Sequence, residues 1–321
     1  MSNFVVSVFP HIRDKATTSG IMRDVLIALI PAFIASIWIF GPRAALVTCV
    51  CVVSCVFFEW LFLKITKRDD PVKTIRDYSA CITGVLLAFN LPVTIPIWQA
   101  VFGSAIAIIL VKQLFGGLGK NFVNPAVAGR IVMFLAFSVT MTTWVDPSGG
   151  VSAPNWAAPV DGVTAATPLV LIWKGRLQEL PSLWNMFIGL RGGCLGETCN
   201  LALLIGGIYL MIRKVISWHI PVAYLAVVAG FTALLGFDPL YQVLGGGLVL
   251  GAFFCATDYV TSPQTKLGRL IYGIFCGFFT VIFRVYSSYP EGVSFAILLM
   301  NILTPYIDRL TETKPLGGVK K

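Results

Sequence analysis

Three short polar segments interrupt an otherwise apolar sequence, and each brings together residue types that could do chemistry. GGLGKNFVNPAVAGR, residues 116–130, crowds Lys120, Asn121 and Asn124 against glycines at the start of an apolar run. Backbone N–H groups at a helix start, with a lysine beside them, can hold an anionic or polar ligand. The same residues read equally as structure, with Asn124 capping the helix and Pro125 opening it. ATDYVTSP, residues 256–263, sets Asp258 among Thr257, Thr261 and Ser262 at the end of an apolar run. An ionisable group at a membrane boundary is a functional candidate by default; the alternative is a capped helix end paired with Lys266 or Arg269. DGVTAATPLVL, residues 161–171, carries Thr164 and Thr167 separated by two alanines. Pro168 biases Thr167 toward an extended backbone, and nothing nearby in sequence shields its hydroxyl. There is no nucleophile–base pair, Walker loop, G-x-G-x-x-G or H-E-x-x-H, which leaves hydrolytic and nucleotide-cleaving chemistry without support.

The elements that must position these segments are membrane helices. Of the 321 residues, 57% are hydrophobic and 12% charged, against roughly 25% charged in a soluble domain. The pattern predicts an all-α polytopic membrane protein with ten spans, at about residues 21–40, 43–63, 79–95, 96–112, 127–144, 199–213, 219–236, 240–257, 268–285 and 291–307. The first apolar run lacks a small-residue cleavage site before the next and reads as a retained helix. Asn90, Leu91, Pro92 and Pro96 break the chain between the third and fourth spans.

Basic residues alternate between the two sets of connections. One face holds Arg13, Lys15, Arg23, the run from Lys64 to Arg76, Lys112, Lys120, Arg130, Arg213, Lys214, Lys266, Arg269 and the C-terminal Arg309, Lys314, Lys320 and Lys321; the other holds Arg43, Lys174, Arg176, Arg191 and Arg284. The positive-inside rule assigns the first face, with both termini, to the cytoplasm. The formal charge of +9 therefore reflects topology, not nucleic-acid binding.

Residues 145–198 form the one long connection, predicted to lie outside and to divide the chain into five-helix halves, 1–144 and 199–321. An odd number per half requires inversion if the halves are related. NPAVAGRIV at 124–132 and SPQTKLGRLI at 262–271 are a weak internal echo. Gly247 with Gly251, and Gly273 with Gly277, suit close helix packing, and the triplet Gly245–Gly247 marks a local weakness within a span. Of the eight cysteines, six lie in apolar runs and behave as buried hydrophobes; Cys194 and Cys199, near a helix start, leave room for a disulfide or an iron–sulfur ligand. Glu59 is the main carboxylate within a span, a thin basis for an ion path through this chain alone.

GKNFVNPAVAGR, DGVTAATPL, GGCLGETC and ATDYVTSP, in that order among ten spans, resemble the family containing the D subunit of the Rnf complex and the B subunit of the sodium-translocating NADH:quinone oxidoreductase. The similarity runs over essentially the whole chain, and the short segment before the first span is closer to the Rnf member. The resemblance implies two inverted five-helix repeats like those of urea transporters, in a multi-pass subunit of a prokaryotic inner or plasma membrane. It implies FMN bonded through its phosphate to Thr167, attached by an FMN transferase. The family pattern is near S-G-A-T, and this chain reads Thr164-Ala165-Ala166-Thr167. The resemblance also implies the A, B, C, E and G subunits of the Rnf complex as partners, electron transfer between ferredoxin and NAD coupled to sodium or proton transport, contact with membrane lipid, and a second, non-covalent riboflavin near Lys120, Asn121 and Asn124. A cofactor-free solute channel of the same architecture, or a scaffold, are the competing expectations.

Overall fold

The computed structural model describes residues 17–67, 71–145, 166–287 and 291–312, and among these the chain is helical throughout. Among the described residues four helices are long and apolar enough to cross a membrane: α1 (Thr18–Phe40), α2 (Pro42–Thr66), α14 (Lys266–Tyr286) and α15 (Val293–Thr311). The remaining apolar helices are shorter: α4 (Ser79–Phe89), α5 (Ile97–Ala105, running on as a π-helix over Ile106–Gln113), α6 (Pro125–Ala136), α10 (Asn200–Ile212) and α11 (His219–Leu234). Small helices connect them: α3 (Pro71–Ile75), α7 (Ser138–Met141), α8 (Pro168–Trp173), α9 (Leu183–Ile188), α12 (Pro239–Leu244) and α13 (Leu248–Leu250, continued by a π-turn over Gly251–Cys255). The protein is a multi-pass membrane protein.

Two predicted spans are broken. The third ends at Phe89, and the eighth is split into α12 and α13 at Gly245–Gly247. Gly246 and Gly247 have φ of +64° and +65°, a left-handed backbone that side chains with a Cβ resist. The fifth span is also shorter than its apolar run, turning at Phe137 into α7.

A helix break inside an apolar body leaves carbonyls and N–H groups without intrahelical partners, and no water is present in hydrocarbon to replace them. Buried arginines fill that role. Arg43, at the start of α2, donates to Val93 O at 2.9 Å and Ile95 O at 3.1 Å in the segment after α4. Arg284, near the end of α14, donates to Gln242 O at 2.5 Å and Gly245 O at 2.9 Å. Asn200 Nδ2 adds a bond to Leu244 O at 2.9 Å. Residues 194–196, expected in the long outer connection, dip inward instead, and the N–H groups of Leu195 and Gly196 donate to Leu91 O and Phe89 O, each at 3.0 Å. The sequence reading of Arg43, Lys112, Arg130, Arg191 and Arg284 as loop cations is corrected: all five are buried.

Small residues let the helices meet. A Cβ at Gly84 of α4 would lie 2.6 Å from the Cα of Val52 in α2, and one at Gly206 of α10 would lie 2.0 Å from Ala28 O in α1. Gly273 and Gly277 face the backbone of α11 at Ile220 O and Tyr224 O, at 2.9 and 3.0 Å, the packing role expected of them. All eight cysteines are free. Cys194 is buried, and Cys199 is the cap residue of α10.

Replacing Arg284 by methionine orphans two buried carbonyls and should cost about 2–6 kcal/mol at 1–3 kcal/mol per unsatisfied group. Arg284→Lys, which can reach one carbonyl but lacks the guanidinium fork, should fall between that variant and wild type in thermal unfolding of the detergent-solubilised chain. Wild-type stability in Arg284→Met would show that the break does not depend on this clasp.

Candidate functional site

A cavity forms between the ends of α4, α6 and α13, and its wall includes Ser79, Lys112, Asn121, Asn124, Phe253, Phe254, Thr257 and Asp258. Two of the polar segments singled out in the sequence thus converge. Asn124 caps α6 by accepting from Ala126 N at 3.0 Å and Val127 N at 3.3 Å, while its Nδ2 reaches Cys255 O at 3.3 Å. That last bond ties the two segments together across the cavity. Asn121 donates to Val123 O at 3.1 Å. Lys120 is exposed outside this wall, its aliphatic chain lying over Gly116. Asp258 pairs with neither Lys266 nor Arg269. It accepts from Val260 N at 3.5 Å and the Thr261 hydroxyl at 3.2 Å, and burial pushes its carboxyl above the ordinary range.

Sequence reasoning missed the polar chain that enters this cavity from the side. Lys112 Nζ lies 2.7 Å from Glu59 Oε1 and donates to Ser79 Oγ at 2.6 Å. Ser79 in turn donates to Asp77 at 2.5 Å, and Gln113 Nε2 donates to Glu59 at 2.6 Å. The π-helical stretch carries both Lys112 and Gln113; such stretches recur at functional sites. Glu59 Oε2 has no partner among the described residues.

A second polar cluster sits at the two helix breaks. Arg130 of α6 donates to Asn90 at 3.0 Å and Ser294 at 2.8 Å, and pairs with Glu291 at 2.6 Å. Arg191 donates to Glu197 O at 2.9 Å. Cys194, Glu197 and Glu291 bring ligand atoms within 4.8 Å of one another. Glu197 and then Arg130, Arg191 and Arg284 act on the Glu291 carboxylate, so three guanidiniums outnumber the two carboxylates and oppose a cation there.

Thr167 lies apart from both clusters. Its backbone is extended, with φ −64° and ψ 152°, as Pro168 requires. The expectation of an unshielded hydroxyl is corrected: Thr167 is 2% exposed and caps α8, accepting from Val170 N at 3.4 Å. Leu169, two residues on, packs over Gly245 and Gly246 beside Arg284, so α8 rests on the second helix break. Lys174 and Arg176 are exposed at the other end of α8, Arg176 near Glu179 at 3.6 Å. Thr164 is outside the described residues.

The sequence profile of the NQR2, RnfD, RnfE family matches residues 5–317. The D subunit of the Na(+)-translocating ferredoxin:NAD(+) oxidoreductase complex of Acetobacterium woodii is 46% identical over 320 residues, covering 99% of this chain and 96% of the relative. Its proton-translocating counterpart from Clostridium ljungdahlii is 39% identical, covering 98% of this chain and 96% of the relative. The D subunit of the ion-translocating oxidoreductase complex of Alcanivorax borkumensis is 37% identical, covering 98% and 97%. Matched from end to end by the profile and by these relatives, the chain belongs to the NQR2, RnfD, RnfE family.

Proposed function

We propose that this chain is a membrane subunit of an ion-translocating electron-transport complex that moves electrons between ferredoxin and NAD, coupled to sodium or proton transport. Full-length likeness to the D subunits of such complexes carries the reading. Its partners are the A, B, C, E and G subunits of the Rnf complex, and its body is two inverted five-helix repeats with both termini cytoplasmic. The packing of α1 on α10, α2 on α5 and α11 on α14 is the kind of pairing that two related halves would make.

In this reading FMN is esterified through its phosphate to Thr167, and riboflavin occupies the cavity beside Asn121, Asn124 and Asp258. Flavins supply the electron transfer, and the protein supplies position and electrostatics. The residues fit the two groups differently. At the cavity, Phe253 and Phe254 offer apolar ring faces while Thr257 and Asp258 offer a polar edge; a flavin ring system has both kinds of boundary. Asn121 and Asn124 shape the wall but spend their amides on backbone partners. At Thr167 the extended backbone suits attachment, and the buried hydroxyl does not suit access. An FMN transferase must therefore act before α8 settles on Gly245 and Gly246, or on a state in which α8 has lifted.

Mass spectrometry of the peptide spanning residues 161–174, after co-expression with a competent transferase, tests the ester. Wild type and Thr164→Val should carry the mass of FMN, and Thr167→Val should not. Flavin retained in Thr167→Val and lost in Thr164→Val would move the attachment point. For the cavity, Asp258→Asn should lower acid-released flavin severalfold and leave the peptide-bound FMN unchanged. A variant with wild-type levels of released flavin would take that ligand away from this cavity.

A further inference from the structure

A second cavity of about 390 Å³, sharing Val215, Ile216, Thr257 and Tyr259 with the wall of the first, opens where α10 ends and α11 and α14 begin, on the face that the charge bias assigns to the cytoplasm. Its wall carries Lys214, Ser217, Trp218 and Arg269, none of which belongs to the sites described above. α10 closes with Lys214 in a left-handed conformation, φ +57°, after which Val215 N returns to Leu210 O at 2.9 Å. That turn leaves the Lys214 side chain exposed at the rim, with no ion pair among the described residues. Arg269 donates its Nε to Pro263 O at 3.0 Å, and its two terminal nitrogens have no protein partner among the described residues. The hydroxyl of Tyr259 closes the inner end by donating to Val215 O.

Three neighbouring aspartates direct their hydrogen bonds away from Lys214 and Arg269. Asp24 pairs with Arg213 at 3.0 Å, Asp258 turns to Val260 N and Thr261, and Asp308 accepts from Gln264 N at 3.0 Å. Lys266 adds a third positive charge close enough to act on His219 together with Arg269. Among the described residues the wall of the cavity carries Lys214 and Arg269 and no carboxylate, which makes it cationic. It is flanked by apolar residues that face away from the protein, Ile212 at 74% exposure, Leu267 at 58% and Trp218 at 56%. Two cations without an ion pair among the described residues, beside a hydroxyl, at the end of membrane helices and bordered by outward apolar surface, match a phosphodiester with acyl chains attached. A tryptophan at this level suits the boundary between headgroup and hydrocarbon.

We propose that this cavity is a binding site for the phosphodiester headgroup of an anionic lipid, with Lys214 and Arg269 as its phosphate contacts and Ile212 and Leu267 as the floor for its acyl chains. The full chain in detergent, titrated with phosphatidylglycerol, phosphatidylcholine or inorganic phosphate, tests it by thermal unfolding and native mass spectrometry. Phosphatidylglycerol should raise the unfolding temperature and persist as a bound adduct, and the other two should not. Lys214→Gln/Arg269→Gln should weaken phosphatidylglycerol binding roughly tenfold or more, at about 1 kcal/mol per cation, with Lys214→Gln alone intermediate. Lys67→Gln, an exposed cation at the end of α2, should bind as wild type does. Equal response to the two lipids, or an unchanged affinity in the double variant, would overturn the proposal. Stabilisation by inorganic phosphate equal to that by phosphatidylglycerol would assign the cavity to a soluble phosphate compound and overturn the lipid assignment.

Discussion

Every backbone donor and acceptor at membrane depth must find a partner in the protein, because hydrocarbon offers none. An unbroken helix meets this demand by itself. This chain breaks two spans, after Phe89 and at Gly245–Gly247, and the rest of the architecture follows from supplying what the breaks remove. Arg43 and Arg284 reach in from long neighbouring helices to hold the carbonyls. The segment at residues 194–196 folds inward to give its N–H groups to the end of α4. Burying a guanidinium is expensive unless it is fully engaged, and each of these two grips more than one carbonyl.

The two candidate sites stand differently to these breaks. The cavity lined by Asn124, Lys112 and Asp258 lies away from both, beside Ser79 at the start of α4, the start of α6 and the chain that follows the π-turn after α13. α8, with Thr167 at its cap, seats Leu169 on the glycines of the second break. One proposed flavin position therefore leans on a break, and the other sits at the starts of two short helices. Arg130, which joins Asn90 at one break to Glu291 and Ser294 at the start of α15, links this framework to the opposite half of the chain.

Much of this was legible in the sequence, and the failures share one cause. Apolar runs placed the helical stretches, the Asn90–Pro96 segment and the Gly245–Gly247 triplet announced the breaks, and Gly273 and Gly277 announced close packing. Those signals are local. Lys112, Arg130, Arg191 and Arg284 looked like loop cations because hydropathy scores a residue without its partners. For three of them the partners lie far along the chain: Glu59 for Lys112, Glu291 for Arg130, Gly245 for Arg284. The same blindness left the Thr167 hydroxyl looking unshielded, although the residue is buried. Asn124 illustrates the reverse case. Its capping role was readable from Asn-Pro at a helix start, whereas its bond to Cys255 O was not.

The proposed ester at Thr167 and the proposed flavin in the cavity differ in one respect that acid exposes, since acid frees a lodged flavin and leaves an esterified one on the chain. Acid precipitation of the purified chain, matured with its transferase, separates the two directly. About one flavin per chain should stay in the precipitate as FMN, and about one should pass to the supernatant as riboflavin. A colourless precipitate and a flavin-free supernatant from correctly matured protein would contradict the two-flavin body and favour a channel without cofactors.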